Sequence, residues 1–399
     1  MEARRGYPDR WSAGRTTPAG APTASDEGFT LHALTKRFGL GAVSTLGVVA
    51  LLTGCGQAPT TGASGSASGS ASAAASSYLP CIVSDSGGFD DRSFNELGLN
   101  GVKAAAASLG SASNYKAVQS ATANDYASNI SNLVSQNCNI IVASGFNLVN
   151  AVKDSASKNP NTDYAMIDDN SIKASNVKDV VFNTNEAAFL GGYAAAAYSK
   201  TGVVATWGGL QIPPVTIYMD GVAQGIAYYN KQKNKNVKLL GWNSSTQKGS
   251  FVGGFTDQNK AKTFTTNFLN ANADVIIPVA GSLYQGAGAA IKSSGKSAVL
   301  EGVDADIYNT DTSGAKSLVL VSILKNIATV TQDVVEQSAK EKTFDNTQYV
   351  GDLKNGGVGL SSFHDYESKL PSGLTDELTK IKSGIVDGSI EVSSKSAFN

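Results

Sequence analysis

Histidine is nearly missing from this chain. His32 and His364 are the only two among 399 residues, and only His364 lies beyond the one long apolar run. Triads of the Ser-His-Asp or Cys-His kind and most zinc sites need imidazole, so an enzyme built on them is disfavoured. An excess of one charge is missing too. Of 32 basic and 33 acidic residues, six and four lie within residues 1–54, which leaves 26 and 29 and a net charge of −3. A surface so balanced does not seek nucleic acid. No heptad pattern, repeat of 20 to 50 residues or second apolar run long enough to cross a bilayer is found. Ser86-Gly87-Gly88 lacks the Gly-Lys-Ser/Thr ending of a phosphate cradle, and no third carboxylate follows Asp304 and Asp306 at a calcium-loop spacing. No metal and no cofactor are expected.

The one long apolar run, Phe38 to Leu52, follows Lys36 and Arg37 and ends in Leu52-Thr53-Gly54-Cys55. About fifteen residues are too few for a spanning helix, which needs about 20, and small residues precede the cysteine. Residues 1–54 therefore read as a cleaved lipoprotein signal, with Cys55 the acylated first residue. More than one acyl chain gives stable anchoring where a single chain does not. Residues 55–77 are almost wholly Gly, Ser, Ala and Thr, too poor in large apolar groups to offset their ordering entropy, and form a flexible tether. The expected location is the extracytoplasmic face of a cell membrane.

From Tyr78 onward, short apolar runs alternate with helical patterns. Leu79–Ser84, Tyr115–Val118, Ile140–Val142, Tyr164–Ile167 and Val180–Phe182 read as strands. Helices are expected over Phe94–Leu109, Ala123–Gln136 and Leu148–Lys158. The pattern then restarts: strands at Val203–Thr206, Val237–Trp242, Val275–Val279, Ala298–Val303 and Leu318–Leu324, with helices at Glu186–Ser199, Met219–Asn230, Lys260–Asn270, Gly286–Ser293 and Val330–Lys342. Such alternation predicts an α/β protein of two lobes with parallel sheets and a cleft between them. Export implies an oxidising compartment, so Cys81 and Cys138 could bridge if their strands are neighbours, and could otherwise be inert buried thiols.

Ligands of open parallel sheets collect beyond the carboxyl ends of the strands. The polar residues there are Asp85, Ser144, Asp168, Asp169, Asp304 and Asp306, with Gly145, Gly208, Gly209 and Gly281.

Ser84-Asp85-Ser86-Gly87-Gly88-Phe89-Asp90-Asp91-Arg92-Ser93-Phe94-Asn95 resembles the opening signature of the basic membrane protein family, substrate-binding lipoproteins that include the purine nucleoside receptor. The segments Asn185 to Tyr193, Gly208 to Val215, Gly302 to Asp306, Ser322 to Lys325 and Gly356 to Leu360 resemble further family motifs in the same order. That resemblance implies a type I periplasmic-binding fold of two Rossmann-like lobes, 78–182 plus 325–345 and 183–324 plus 346–399. It further implies closure on a purine nucleoside of the inosine, guanosine and adenosine class, delivered to ABC importer permeases, with no catalysis. A monomer is expected.

By the same resemblance Phe94 stacks on one face of the purine and Tyr218 on the other, where the family commonly has Phe. Asp85, Asp91, Asn95 and Asp168 surround the base, Asp304 and Lys325 hold the ribose, and the Gly281 backbone approaches the sugar. The chemistry is coherent: a purine offers two π faces and a rim of donors and acceptors, Asn both donates and accepts, and a carboxylate can accept from two sugar hydroxyls.

Blander readings stand beside these. Phe94 could be a core residue at a helix start, Asp85 and Asp168 could cap helices, Asp304 with Asp306 could bind a metal, and Lys325 could be an ordinary surface charge. At the level of function, the alternatives are the same fold holding a sugar or furanose-like signal, or a sensor or adhesin subunit.

Overall fold

A computed structural model describes residues 77–398. The expected signal, Cys55 and all of the tether but Ser77 lie outside the described residues. The chain runs β1 (Pro80–Ser84), α1 (Phe94–Ser108), β2 (Lys116–Val118), α2 (Tyr126–Ser135), β3 (Ile140–Ser144), α3 (Val149–Lys158), β4 (Asp163–Ile167) and β5 (Val177–Phe182). It continues with α4 (Thr184–Tyr198), β6 (Val203–Gly208), α5 (Pro213–Lys233), β7 (Lys238–Leu240), β8 (Trp242–Asn243), β9 (Lys248–Gly249), α6 (Gln258–Asn270), β10 (Val275–Val279), α7 (Tyr284–Ser294) and β11 (Val299–Asp304). Last come α8 (Ile307–Thr310), β12 (Val319–Lys325), α9 (Ile327–Lys340), β13 (Tyr349–Gly351), β14 (Val358–Leu360) and α10 (Leu374–Val386).

Two six-stranded sheets form, ordered β13-β5-β4-β3-β1-β2 and β14-β12-β11-β10-β6-β7. The first is parallel throughout, and the second is parallel except for β14, which runs antiparallel to β12. Leaving aside β13 and β14, each sheet has the doubly wound order 2-1-3-4-5, whose switch point lies between its first and third strands. Strands buried on both faces read as continuous apolar runs, as Ile140-Ile141-Val142 does. The chain passes between the sheets after Phe182, after Lys325 and again between Gly351 and Val358.

Helices α4 and α5 lie back to back because glycine lets their backbones meet. A Cβ on Gly225 would sit 2.0 Å from the Phe189 carbonyl oxygen, and one on Gly192 would sit 2.3 Å from that of Val222. One apolar cluster joins α4 and α5 to residues of both sheets. Two smaller clusters serve one sheet each. Cys81 on β1 and Cys138 just before β3 are joined by a disulfide, their Cα atoms 5.9 Å apart. In the chain-entropy view such a 57-residue span adds about 4 kcal/mol.

Several element bounds differ from the sequence expectation. α5 begins at Pro213 rather than near Met219, because proline suits the first helical turn, where an N–H is dispensable. The strand expected over Val237–Trp242 breaks at Gly241, whose φ of 85° ends β7. β13 was expected with the second lobe, in 346–399, yet it pairs with β5 of the first sheet. β13 and β14 are three-residue strands containing glycine, too short for a periodic signal. α10 had one, in Leu374, Leu378 and Ile381.

Candidate functional site

The strand ends of the two sheets face a common cleft. Asp85 follows β1, Gly145 follows β3 and Asp168 follows β4 in the first sheet. Gly281 follows β10, Asp304 ends β11 and Lys325 ends β12 in the second. Phe94 and Asn95 open α1, and Tyr218 lies in the second turn of α5. The nine residues that the resemblance assigns to the ligand, Asp91 included, line one cavity with about 620 Å³ of atom-free space, part of it open to solvent, whereas the strand-end candidates Ser144, Asp169, Gly208, Gly209 and Asp306 do not.

Lys325 organises the polar floor. Its Nζ donates to both carboxylate oxygens of Asp168, at 2.9 and 2.8 Å, and lies 3.7 Å from Asp304 Oδ1. The ammonium is 3% exposed, so it is a buried counter-ion and not a surface charge. Burial pushes the Asp168 carboxyl up to about 6, because loss of solvent outweighs the adjacent ammonium. Tyr218 donates its hydroxyl proton to Asp304 Oδ1 at 2.8 Å, and burial drives that phenol well above its ordinary value. Asp168 and Asp304 occupy matching places at the ends of β4 and β11. Both take the left-handed conformation, φ 72° and 65°, which Asp tolerates better than most residues.

The other end of the cleft is an amide and carboxylate set. Asp85 accepts from Asn147 Nδ2 at 3.0 Å and more weakly from Asn95 Nδ2 at 3.3 Å, and burial raises its carboxyl above the usual range. It does not cap a helix; its backbone partner is the Gly87 N–H, at 3.4 Å. Gly145, at φ 123°, has to be glycine, since a Cβ there would come within 2.3 Å of Asp85 Oδ2. Asn95 Oδ1 is buried with no hydrogen-bond partner among the described residues, an acceptor left for a ligand donor. Asp91 lines the cavity and also braces the helix behind it. Its oxygens accept from the backbone N–H groups of Ser93, Asn95 and Glu96 at 2.9, 2.8 and 3.1 Å, so it holds the start of α1. Burial pushes it up to about 6.

Phe94 and Tyr218 flank the same ammonium, Lys325 Nζ standing 4.8 and 5.8 Å from their ring centres. Phe146 and Phe255 add two more aromatic walls that sequence reasoning did not single out. Phe146 follows a strand end and was findable on that ground. Phe255, in the loop after Gly254, carried no signal. A Cβ on Gly281 would meet nothing within 4 Å, which leaves space beside that backbone. The lobes touch at the rim: Ser93 Oγ donates to the Val303 carbonyl at 3.3 Å and Thr310 Oγ1 to that of Arg92 at 2.9 Å. Asp306 pairs instead with His364 Nε2 at 2.9 Å. The cleft thus presents aromatic faces, an unpartnered amide oxygen, several carboxylate acceptors and one buried cation.

Known proteins are similar to this chain. A family profile described as ABC transporter substrate-binding protein PnrA-like matches residues 80–396. The ABC transporter nucleoside-binding protein BmpA of Lactococcus lactis is 29% identical over 369 residues, covering 89% of this chain and 98% of that protein. Basic membrane protein A of Borreliella burgdorferi is 29% identical over 315 residues, covering 77% and 86%. Among solved structures, an ABC transporter solute-binding protein from Aeropyrum pernix superposes with a TM-score of 0.66 at 23% identity, over 79% of this chain and 92% of that one. That superposition identifies the fold as that of solute-binding proteins.

Proposed function

Because the chain belongs to the family of PnrA-like ABC transporter substrate-binding proteins, we propose that it is the lipid-anchored, extracytoplasmic receptor of a nucleoside importer. It takes purine nucleosides of the inosine, guanosine and adenosine class between its two lobes and presents them to the permease without altering them. The observation that carries this reading is the single cavity shared by the Phe94 and Tyr218 rings and by the Asp304–Lys325 pair. An aromatic ring recovers about 1–3 kcal/mol per stacked base, and acceptors left unpaired by a free base penalise it relative to the nucleoside. Asn95 Oδ1 and Asp85 supply acceptors for the base edge. The name borne by the Lactococcus relative supports the same ligand class. Cys55, acylated after removal of residues 1–54, keeps the receptor beside its membrane.

Closure follows from the division of the site. Phe94, Asn95 and Asp168 belong to elements of the first sheet's lobe, Tyr218 and Asp304 to those of the second. A ligand touching both lobes stabilises the closed state by its differential contacts there.

Calorimetric titration of the full chain in detergent with inosine, guanosine, adenosine, cytidine and ribose tests the proposal. Saturable heat with the purine nucleosides is expected. Heat from ribose alone would move the site to a sugar, and release of free base from inosine would make the protein an enzyme.

A further inference from the structure

The geometry points to Tyr218 as a specificity determinant that relaxes the demand for a vicinal diol, so that deoxynucleosides are accepted almost as well as ribonucleosides. This rests on the nucleoside reading above and concerns how the sugar is sensed.

A carboxylate that recognises a diol does so because both of its oxygens want donors. Taking away one sugar hydroxyl then leaves a buried acceptor unpaired, which costs far more than the net value of one hydrogen bond. Asp304 is not in that condition. Oδ1 already accepts the Tyr218 hydroxyl at 2.8 Å and has the Lys325 ammonium at 3.7 Å. Both partners are nine-tenths or more buried, Tyr218 at 1% exposure and Lys325 at 3%, so the arrangement is fixed before any ligand arrives. Among the described residues Oδ2 has no hydrogen-bond partner. One sugar hydroxyl therefore gives each Asp304 oxygen a donor, and a second would add to an oxygen that already has one, so its loss orphans neither. The phenol also sits where a phenylalanine would give the same ring without the donor. The hydroxyl of Tyr218 thus affects the sugar edge and not the stacking.

The test compares inosine with 2′-deoxyinosine and 3′-deoxyinosine by calorimetry on the full chain in detergent. For the wild type, at least one deoxy ligand is expected to bind within about fivefold of inosine, since no buried acceptor is orphaned. In Tyr218→Phe, Oδ1 loses its donor, and the same deoxy ligand is expected to fall at least about tenfold behind inosine. Rejection of both deoxy ligands by more than tenfold in the wild type would overturn the inference, as would an unchanged ratio in Tyr218→Phe. The wild-type comparison stands whether or not the variant folds. If the wild type binds no nucleoside at all, the parent reading fails; if it binds inosine but rejects both deoxy forms, only this inference does.

Discussion

Lys325 Nζ bonds both carboxylate oxygens of Asp168, joining the end of β12 in the second sheet to the end of β4 in the first. The two side chains, 3% and 7% exposed, meet at the back of the cleft. Replacing Lys325 by Met keeps much of the volume and removes the charge. Asp168 and Asp304 are then left buried without a counter-ion, a change that costs about 3–5 kcal/mol when one member of a buried pair is deleted. The loss depends on pH with a definite sign. Asp168 already titrates at about 6, above its ordinary 3.8, so its contribution to stability is intact below about 4 and declines as pH rises through 6. Without the ammonium its folded value climbs further. Urea unfolding should show a larger deficit for Lys325→Met at pH 8 than at pH 5. An equal deficit at both would mean that Asp168 does not sense the lysine.

Phe94 packs partly exposed at the mouth of α1, bordered by Lys325 and the cavity. Truncation to Ala removes a ring that stacking values at about 1–3 kcal/mol, yet it opens no sealed void. Nucleoside affinity should drop at least about tenfold while the melting temperature moves little. Wild-type affinity in Phe94→Ala would remove the ring from the ligand site.

The lobes and the cleft were largely legible in the chain because strand ends are set by local pattern. Val83-Ser84-Asp85 and Met166-Ile167-Asp168 each pass from a buried apolar run to a carboxylate, and both carboxylates line the cavity. What the pattern could not show is which partner each side chain chooses once folded. Asp91 reads as one more acid in an acidic loop, but its oxygens are occupied by the first turn of α1. Asn147 reaches Asp85 across 62 residues, and Tyr218 reaches Asp304 across 86. Separations of that length leave no trace in a window of a dozen residues. The return of Tyr349–Gly351 to the first sheet is hidden for the same reason.

Glu301, on β11, is a buried acid that does not line the cleft. It is wholly buried, neither carboxyl oxygen has a hydrogen-bond partner among the described residues, and Oε2 lies against Gly191 of α4. Burial alone drives its pKa well above the ordinary 4.5. The folded chain therefore holds a proton there that the unfolded chain releases. Stability from this position is complete below about 4.5 and falls as pH rises, by up to about 1.4 kcal/mol per pH unit until the folded value is passed. Glu301→Gln keeps the shape without the proton equilibrium. Thermal melts should show the variant gaining on the wild type as pH goes from 4 to 8. Parallel curves across that range would mean that Glu301 has found a partner.

Thr310 of α8 and the backbone of Arg92 meet across the cleft rim, Oγ1 donating to the carbonyl at 2.9 Å. Ser93 makes the companion contact to Val303 at 3.3 Å. Both bonds join one lobe to the other, so in the proposed opening and closing of the lobes they favour the closed state. A hydrogen bond of this kind is worth about 0.5–1.5 kcal/mol net. Deleting it in Thr310→Val, which keeps the branched shape, shifts the lobes toward opening by that amount. Apparent affinity then weakens about two- to tenfold without the loss of any ligand contact. Ligand reaches the open form either way, so the association rate should hold and the dissociation rate should carry the change. Stopped-flow measurement of both rates, using tryptophan emission, separates the two. A slower association with unchanged dissociation would place Thr310 on the entry path and not among the closing contacts.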